Sequence, residues 1–160
     1  MPSGPSTSPI AAQLPVEGLL VSVGTAGSPE TLDVIANLTD YSQAMKSTIV
    51  LTTNVGDAYV RRAPTIIDPG EPTFTIFWIP MEATHRNSIG GGAVAAGLRY
   101  LMLNKLLRDF QVSYPADANG NTEADAYKAF VTEFGITGKT ADVFRASIKL
   151  GINDQSPFFV

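Results

Sequence analysis

One hundred and sixty residues, 44% of them hydrophobic, suffice for one domain around one core and leave little for a second. Only 16% are charged, where about 25% is usual, which points to a subunit with part of its surface covered. Eleven Lys and Arg against fifteen Asp and Glu give a net charge of -4, which argues against a protein that grips nucleic acid by neutralising phosphates; the absence of Cys excludes disulfides and thiolate chemistry, and the single His85 excludes a multi-histidine metal site.

The first nine residues hold three Pro and three Ser, a composition that cannot bury enough apolar area to offset the entropy of ordering, so a flexible arm is expected over residues 1–28, with one short strand inside it. With no basic flank and no apolar run at Met1 to Pro9, no secretion signal is expected, and the chain is read as made and kept in a cytoplasm. Gly18 to Gly24 reads as that short strand. Thr31 to Leu38, rich in β-branched residues after Gly27-Ser28-Pro29, reads as a second, and Ser47 to Thr53 as a third, with Thr39 to Lys46 a connecting loop. Tyr59 to Arg62 is a further extended piece. Pro64 to Pro72, with Asp68-Pro69-Gly70-Glu71 inside it, is turn chemistry. Thr73 to Ile79, dense in β-branched and aromatic residues and ended by Pro80, is the clearest strand. Phe110 to Tyr114 and Asp125 to Phe134 flank Pro115 to Asn121 as two strands joined by a long loop. In the last strand, Ala141 to Ile152, the alternation of Phe144, Ala146, Ile148 and Leu150 against Arg145, Ser147 and Lys149 gives one buried and one polar face.

One segment is helical in character. From about residue 93 to 109 good helix formers dominate, and Ala96, Tyr100, Leu103, Leu107 and Phe110 fall in one stripe that would cover the sheet. Leu98 and Leu101 lie opposite this stripe as a smaller apolar patch, to be covered by a neighbouring subunit or by a loop or the arm.

Candidate chemistry is sparse. Gly90-Gly91-Gly92-Ala93-Val94-Ala95 fits a dinucleotide fingerprint, but Pro80 closes the preceding strand and ten residues intervene, so a loop and helix start is the better reading. Asp117, Asn119, Asn121 and Glu123 alternate oxygen donors as some calcium loops do, yet Gly120 falls at the fourth place rather than the sixth, and Asn-Gly is hairpin chemistry. Arg61-Arg62 suits an ion-paired edge. His85 lacks an adjacent nucleophile motif and reads as a loop histidine capping a turn. Asn37-Leu38-Thr39 matches a glycosylation acceptor and is discounted without a secretion signal. Glu123 and Asp125 share one face of a strand as an acidic patch. No cofactor and no metal is expected.

The order of these pieces is specific where each alone is not. Thr31 to Leu38, a loop, Thr48 to Asn54, the proline-rich Pro64 to Glu71 entering Phe74 to Pro80, Thr84-His85, and the closing Phe130 to Thr137 and Gly138 to Leu150 together resemble the major tail tube proteins of long-tailed, non-contractile bacteriophages over about Glu30 to Ile152. The resemblance implies a mainly β, α+β fold, an antiparallel β-sandwich or barrel over 29–152 with one flanking helix, and a tail at 153–160. It implies a non-enzymatic virion protein whose subunits form hexameric rings by pairing strands between neighbours, with Asp109 to Phe134 and Ala141 to Ile152 among the sheet strands. Rings would stack into a tube around a tape measure protein, meet terminator and tail-tip or baseplate proteins, be assembled in the host bacterial cytoplasm, and conduct double-stranded DNA without sequence-specific binding. Thr39 to Lys46 and Met1 to Ser28 would bridge rings. The expected interface residues are Leu98, Leu101, Asp40, Tyr41, Met45, Phe158 and Phe159. The alternative from another class is a small-molecule or carbohydrate binding β-sandwich with Trp78 and the tyrosines as stacking platforms; an enzyme using His85 has the least support.

Overall fold

A computed structural model describes residues 18–24, 31–86 and 97–155. The chain runs β1 (Leu20–Gly24), β2 (Leu32–Val34), β3 (Leu38–Ser42), β4 (Lys46–Leu51), β5 (Arg62–Asp68), β6 (Thr73–Phe77), α1 (Leu98–Leu103), β7 (Arg108–Ser113), β8 (Ala124–Thr137) and β9 (Arg145–Gln155). Seven strands form one sheet in the order β2-β1-β7-β8-β9-β6-β3, and β4 and β5 form a separate two-stranded ribbon. Every pairing is antiparallel.

Alternation explains how the sheet makes its core. Val21 and Val23 of β1, Phe74 and Ile76 of β6, Phe110 and Val112 of β7, and Ala146, Ile148 and Leu150 of β9 are all buried in one cluster; in β6, β7 and β9 the residues between them are more exposed, whereas Ser22 of β1 is buried as well. Two long strands let the sheet wrap around that cluster. β8 pairs with β7 from Ala124 to Ala129 and with β9 from Tyr127 to Thr137, shifting register between Lys128 and Ala129 and again between Val131 and Glu133. Such bulges sharpen twist. Tyr41, on β3 at one edge of the sheet, consequently packs against the same cluster as Tyr127 on β8, three strands away in the ladder.

Several elements differ from the sequence reading, each for a local reason. The strand expected over Thr31 to Leu38 stops at Val34, before a turn in which Asn37 takes φ 60, and the expected loop at Thr39 to Lys46 instead begins with β3 on the sheet edge. The proline-rich turn at Pro64 to Pro72 is β5 as far as Asp68; a two-stranded ribbon tolerates Pro64 because one side of each strand needs no amide donor. The helix is six residues long rather than the seventeen of 93–109. It ends at Asn104, Lys105 adopts φ 53, and Arg108 already belongs to β7. Residues 93–96, with the Gly90 to Ala95 run, lie outside the described residues.

α1 rests on β8. Its first amides are held by a preceding turn: Leu98 N–H donates to the Thr84 carbonyl at 2.8 Å, and Arg99 and Tyr100 to those of His85 and Arg86. That close approach needs Gly97, where a side chain would strike the backbone of His85 and Arg86.

Candidate assembly surface

The structure scatters the expected interface residues. Leu98 and Leu101 are 0% and 1% exposed and belong to the core of this same chain, so the expectation that they form a second patch for a neighbouring subunit to cover is corrected. Of the stripe assigned to the sheet, Leu103 at 60% and Leu107 are exposed, Tyr100 is half-buried against the core, Phe110 is buried in β7 beyond the helix, and Ala96 lies outside the described residues. Asp40 and Tyr41 lie on β3, and Met45 lies three residues beyond its end. Asp40 Oδ1 accepts the Tyr41 N–H, Tyr41 packs on the core and donates its hydroxyl to Gln43 Oε1, and Met45 is exposed. Phe158 and Phe159 lie outside the described residues.

The residues considered for chemistry are engaged in structure. His85 is fully buried; its Nδ1 accepts the Ile79 N–H at 3.3 Å, so Nε2 carries the hydrogen and donates to the Ala36 carbonyl at 2.8 Å. Its ring stacks on Trp78, which also sits T-shaped against Phe134 within the core. Trp78 is therefore no open platform. Tyr114 donates to Asp125 at 2.8 Å, and burial pushes the phenols of Tyr41, Tyr114 and Tyr127 up. Asp117 accepts the backbone N–H of Asn119 and Asn121 and the Asn121 side chain, and those bonds, the side-chain one first, hold its carboxyl below the ordinary range. This is the expected loop end. Arg61 pairs with Asp57. Among the described residues no three His, Cys, Asp or Glu side chains are grouped as a metal site would need, and no helix is long and apolar enough to cross a membrane.

What remains conspicuous is the β4–β5 hairpin. β4 is exposed at every residue and β5 at all but Ala63. Six residues at about 3.3 Å each carry it roughly 20 Å out, and its side chains include Ile49, Leu51 at 65%, Val60, Ile66 at 69% and Ile67. A lone two-stranded ribbon is marginal in water, and apolar residues on both of its faces are poorly suited to stay there. A second apolar surface lies at the far ends of the strands that root the hairpin. The hairpin leaves beside Ser42 and Thr73, where Thr73 pairs with Lys149; at the other end, Phe77 pairs with Arg145, and Trp78 N–H donates to the Phe144 carbonyl. Phe77, Ile79, Met81, Ile136, Val143 and Phe144 are exposed there. Sequence reasoning recognised the strand character of β4 but not the ribbon, because a hairpin without a core under it carries no buried face to read.

Comparison with solved structures decides the fold. The SPP1 tail tube superposes with a TM-score of 0.66 at 10% identity, over 89% of this chain and 77% of that one. The chain shares the fold of the SPP1 tail tube. A chain of the sheath-tube complex of an extracellular contractile injection system, PVC, in its extended state follows with TM-score 0.56 and 17% identity over 97% and 99% of the two chains. One from the PVC sheath/tube terminator gives 0.57 and 15% over 90% and 95%. The tail-tube fold thus joins this chain to components of contractile and phage tubes alike, and the resemblance read from the order of strands holds at the level of fold. No family model matches the sequence, and no curated protein sequence does.

Proposed function

We propose that the chain is the structural, non-enzymatic subunit of a tail tube, which assembles with copies of itself into stacked hexameric rings. The observation that carries this reading is the exposed apolar hairpin on a tail-tube fold: a surface costly in a monomer becomes useful when a second copy covers it. The apolar surface at the opposite end, around Phe77 and Phe144, gives that hairpin a receptor of matching character. A contact between unlike surfaces at opposite ends is head-to-tail, and such contacts propagate instead of closing on a pair. Asp40, Tyr41 and Met45, at the hairpin root, belong to this contact region, and sheet edges at β2 and β3 pair around the ring.

In this reading the tube forms around a tape measure protein in the cytoplasm of a bacterial host, is capped by terminator and tip proteins, becomes part of the virion tail, and passes double-stranded DNA. A net charge of -4 favours passage over retention, since like charge keeps phosphates from binding the wall. The competing reading as a ligand-binding module loses its stacking platform to the Trp78–His85 pair. Negative-stain electron microscopy of the concentrated protein, alongside sedimentation, tests the proposal. Hollow tubes or six-fold rings are expected; a monodisperse monomer that persists at high concentration and in the presence of preformed tail tips overturns it.

A further inference from the structure

The β4–β5 hairpin joins the sheet through two short connectors, residues 43–45 and 69–72, and among the described residues β4 and β5 pair with no other strand. Its direction is therefore decided at the root. The 69–72 connector is fastened to the sheet: the Pro72 carbonyl accepts the Leu150 N–H at 2.9 Å, and Glu71 meets Lys149 at 2.7 Å. The 43–45 connector is tied to it through one half-buried side chain. Gln43 Nε2 donates to the Pro69 carbonyl at 2.9 Å, while Gln43 Oε1 accepts the Tyr41 hydroxyl at 2.7 Å. The Pro69 carbonyl can only accept, which sets Nε2 towards it, and the Tyr41 hydroxyl holds the other end of the amide. Tyr41 is itself half-buried against the core, and burial pushes its phenol up, so the hydroxyl stays protonated and donates. Gly70 completes the joint. It adopts φ 76, its N–H donates to Asp68 Oδ1 at 2.9 Å, and a side chain on it would overlap the Ala44 carbonyl oxygen, so the two connectors touch backbone to backbone.

We propose that Gln43 is a positioning residue for assembly: its amide, oriented by Tyr41 and bonded to Pro69, locks the direction in which the hairpin is presented to the next copy. The consequence for assembly rests on the tail-tube reading; the lock itself does not. Locking matters because an ordered surface spends less of its contact energy on ordering when it binds.

The chain has no cysteine, so spin labels placed at Val50→Cys on the hairpin and Thr137→Cys on the sheet report the distance between them in the monomer. Gln43→Glu keeps the length and the acceptor for Tyr41 but, as a carboxylate, has no N–H for Pro69; Gln43→Leu keeps bulk alone. Both are expected to broaden the distance distribution, leave amide exchange in β8 and β9 unchanged, and slow tube elongation of the unlabelled chain about 2- to 10-fold, the worth of one hydrogen bond. Gly70→Ala is expected to move the mean distance rather than the width, because the Ala44 carbonyl must give way. A distribution as narrow as that of the parent in both Gln43 variants overturns the proposal. If the parent chain builds no tubes, the assembly reading fails, and the width of the distribution still decides whether Gln43 is the lock.

Discussion

At the scale of single residues, the polar side chains of this protein are spent on holding its own backbone. His85 bridges the Ala36 carbonyl and the Ile79 amide, joining the corner after β2 to the turn after β6. Replacing it with Phe keeps the stack on Trp78 and removes both bonds, so about 1–3 kcal/mol is lost for each buried group left unpaired. Urea denaturation of His85→Phe is expected to show a lowered midpoint with an unchanged slope; a midpoint equal to that of the parent would remove His85 from the list of structural supports. The sequence marks His85 as a turn residue because no catalytic motif surrounds it, but its partner Ala36 stands 49 positions away and no spacing rule reaches that far. Asp117 was legible for the opposite reason. Its partners Asn119 and Asn121 are local, and Asn-Gly beside strands declares its turn in the sequence itself.

At the scale of elements, α1 shows where pattern reading fails. A helix of six residues has fewer than two turns, so the pair Leu98 and Leu101 at i, i+3 competes on equal terms with Tyr100 and Leu103, and the stripe that favoured the latter continued to Leu107 and Phe110, which are not helical. The outcome reverses the expected effect of mutation. Changing Leu98 and Leu101 to Lys, a surface change in the sequence reading, places two charges in the core and is expected to prevent folding; each Leu→Ala alone costs about 2–5 kcal/mol. Leu103→Lys is expected to change stability by less than about 0.5 kcal/mol. Thermal unfolding followed by circular dichroism distinguishes the two faces, and a well-folded Leu98→Lys, Leu101→Lys double variant would refute the packing of α1 on β8. The strands around the helix were legible because period-two alternation in β6, β7 and β9 records a buried face. β3 and β5 were not: an edge strand buries too little to leave that record, and the prolines of β5 and its connector read as turn chemistry.

At the scale of the whole molecule, the direction of the strands gives the subunit two different ends. The hairpin departs where Thr73 faces Lys149, and the apolar surface of Phe77, Ile79 and Phe144 lies four residues along the same ladder, roughly 13 Å on. If the hairpin of one copy meets the far end of another, the contact is heterologous, and a defect on either side stops growth in one direction only. Ile49→Lys with Ile66→Lys spoils the hairpin, and Phe77→Lys with Phe144→Lys spoils the receptor. All four positions are exposed in the monomer, so both variants are expected to fold. Neither is expected to build tubes alone. Mixed together, the intact hairpins of the second variant meet the intact receptors of the first, and the two remaining surfaces, both charged, repel any further addition. The expected product is a pair of unlike layers that grows no longer, seen by sedimentation as one discrete species. A contact of like with like predicts something else, because two copies of one variant would then suffice or fail without help from the other. Long tubes from the mixture, or from either variant alone, would refute head-to-tail addition, while a discrete mixed species identifies both halves of the contact at once.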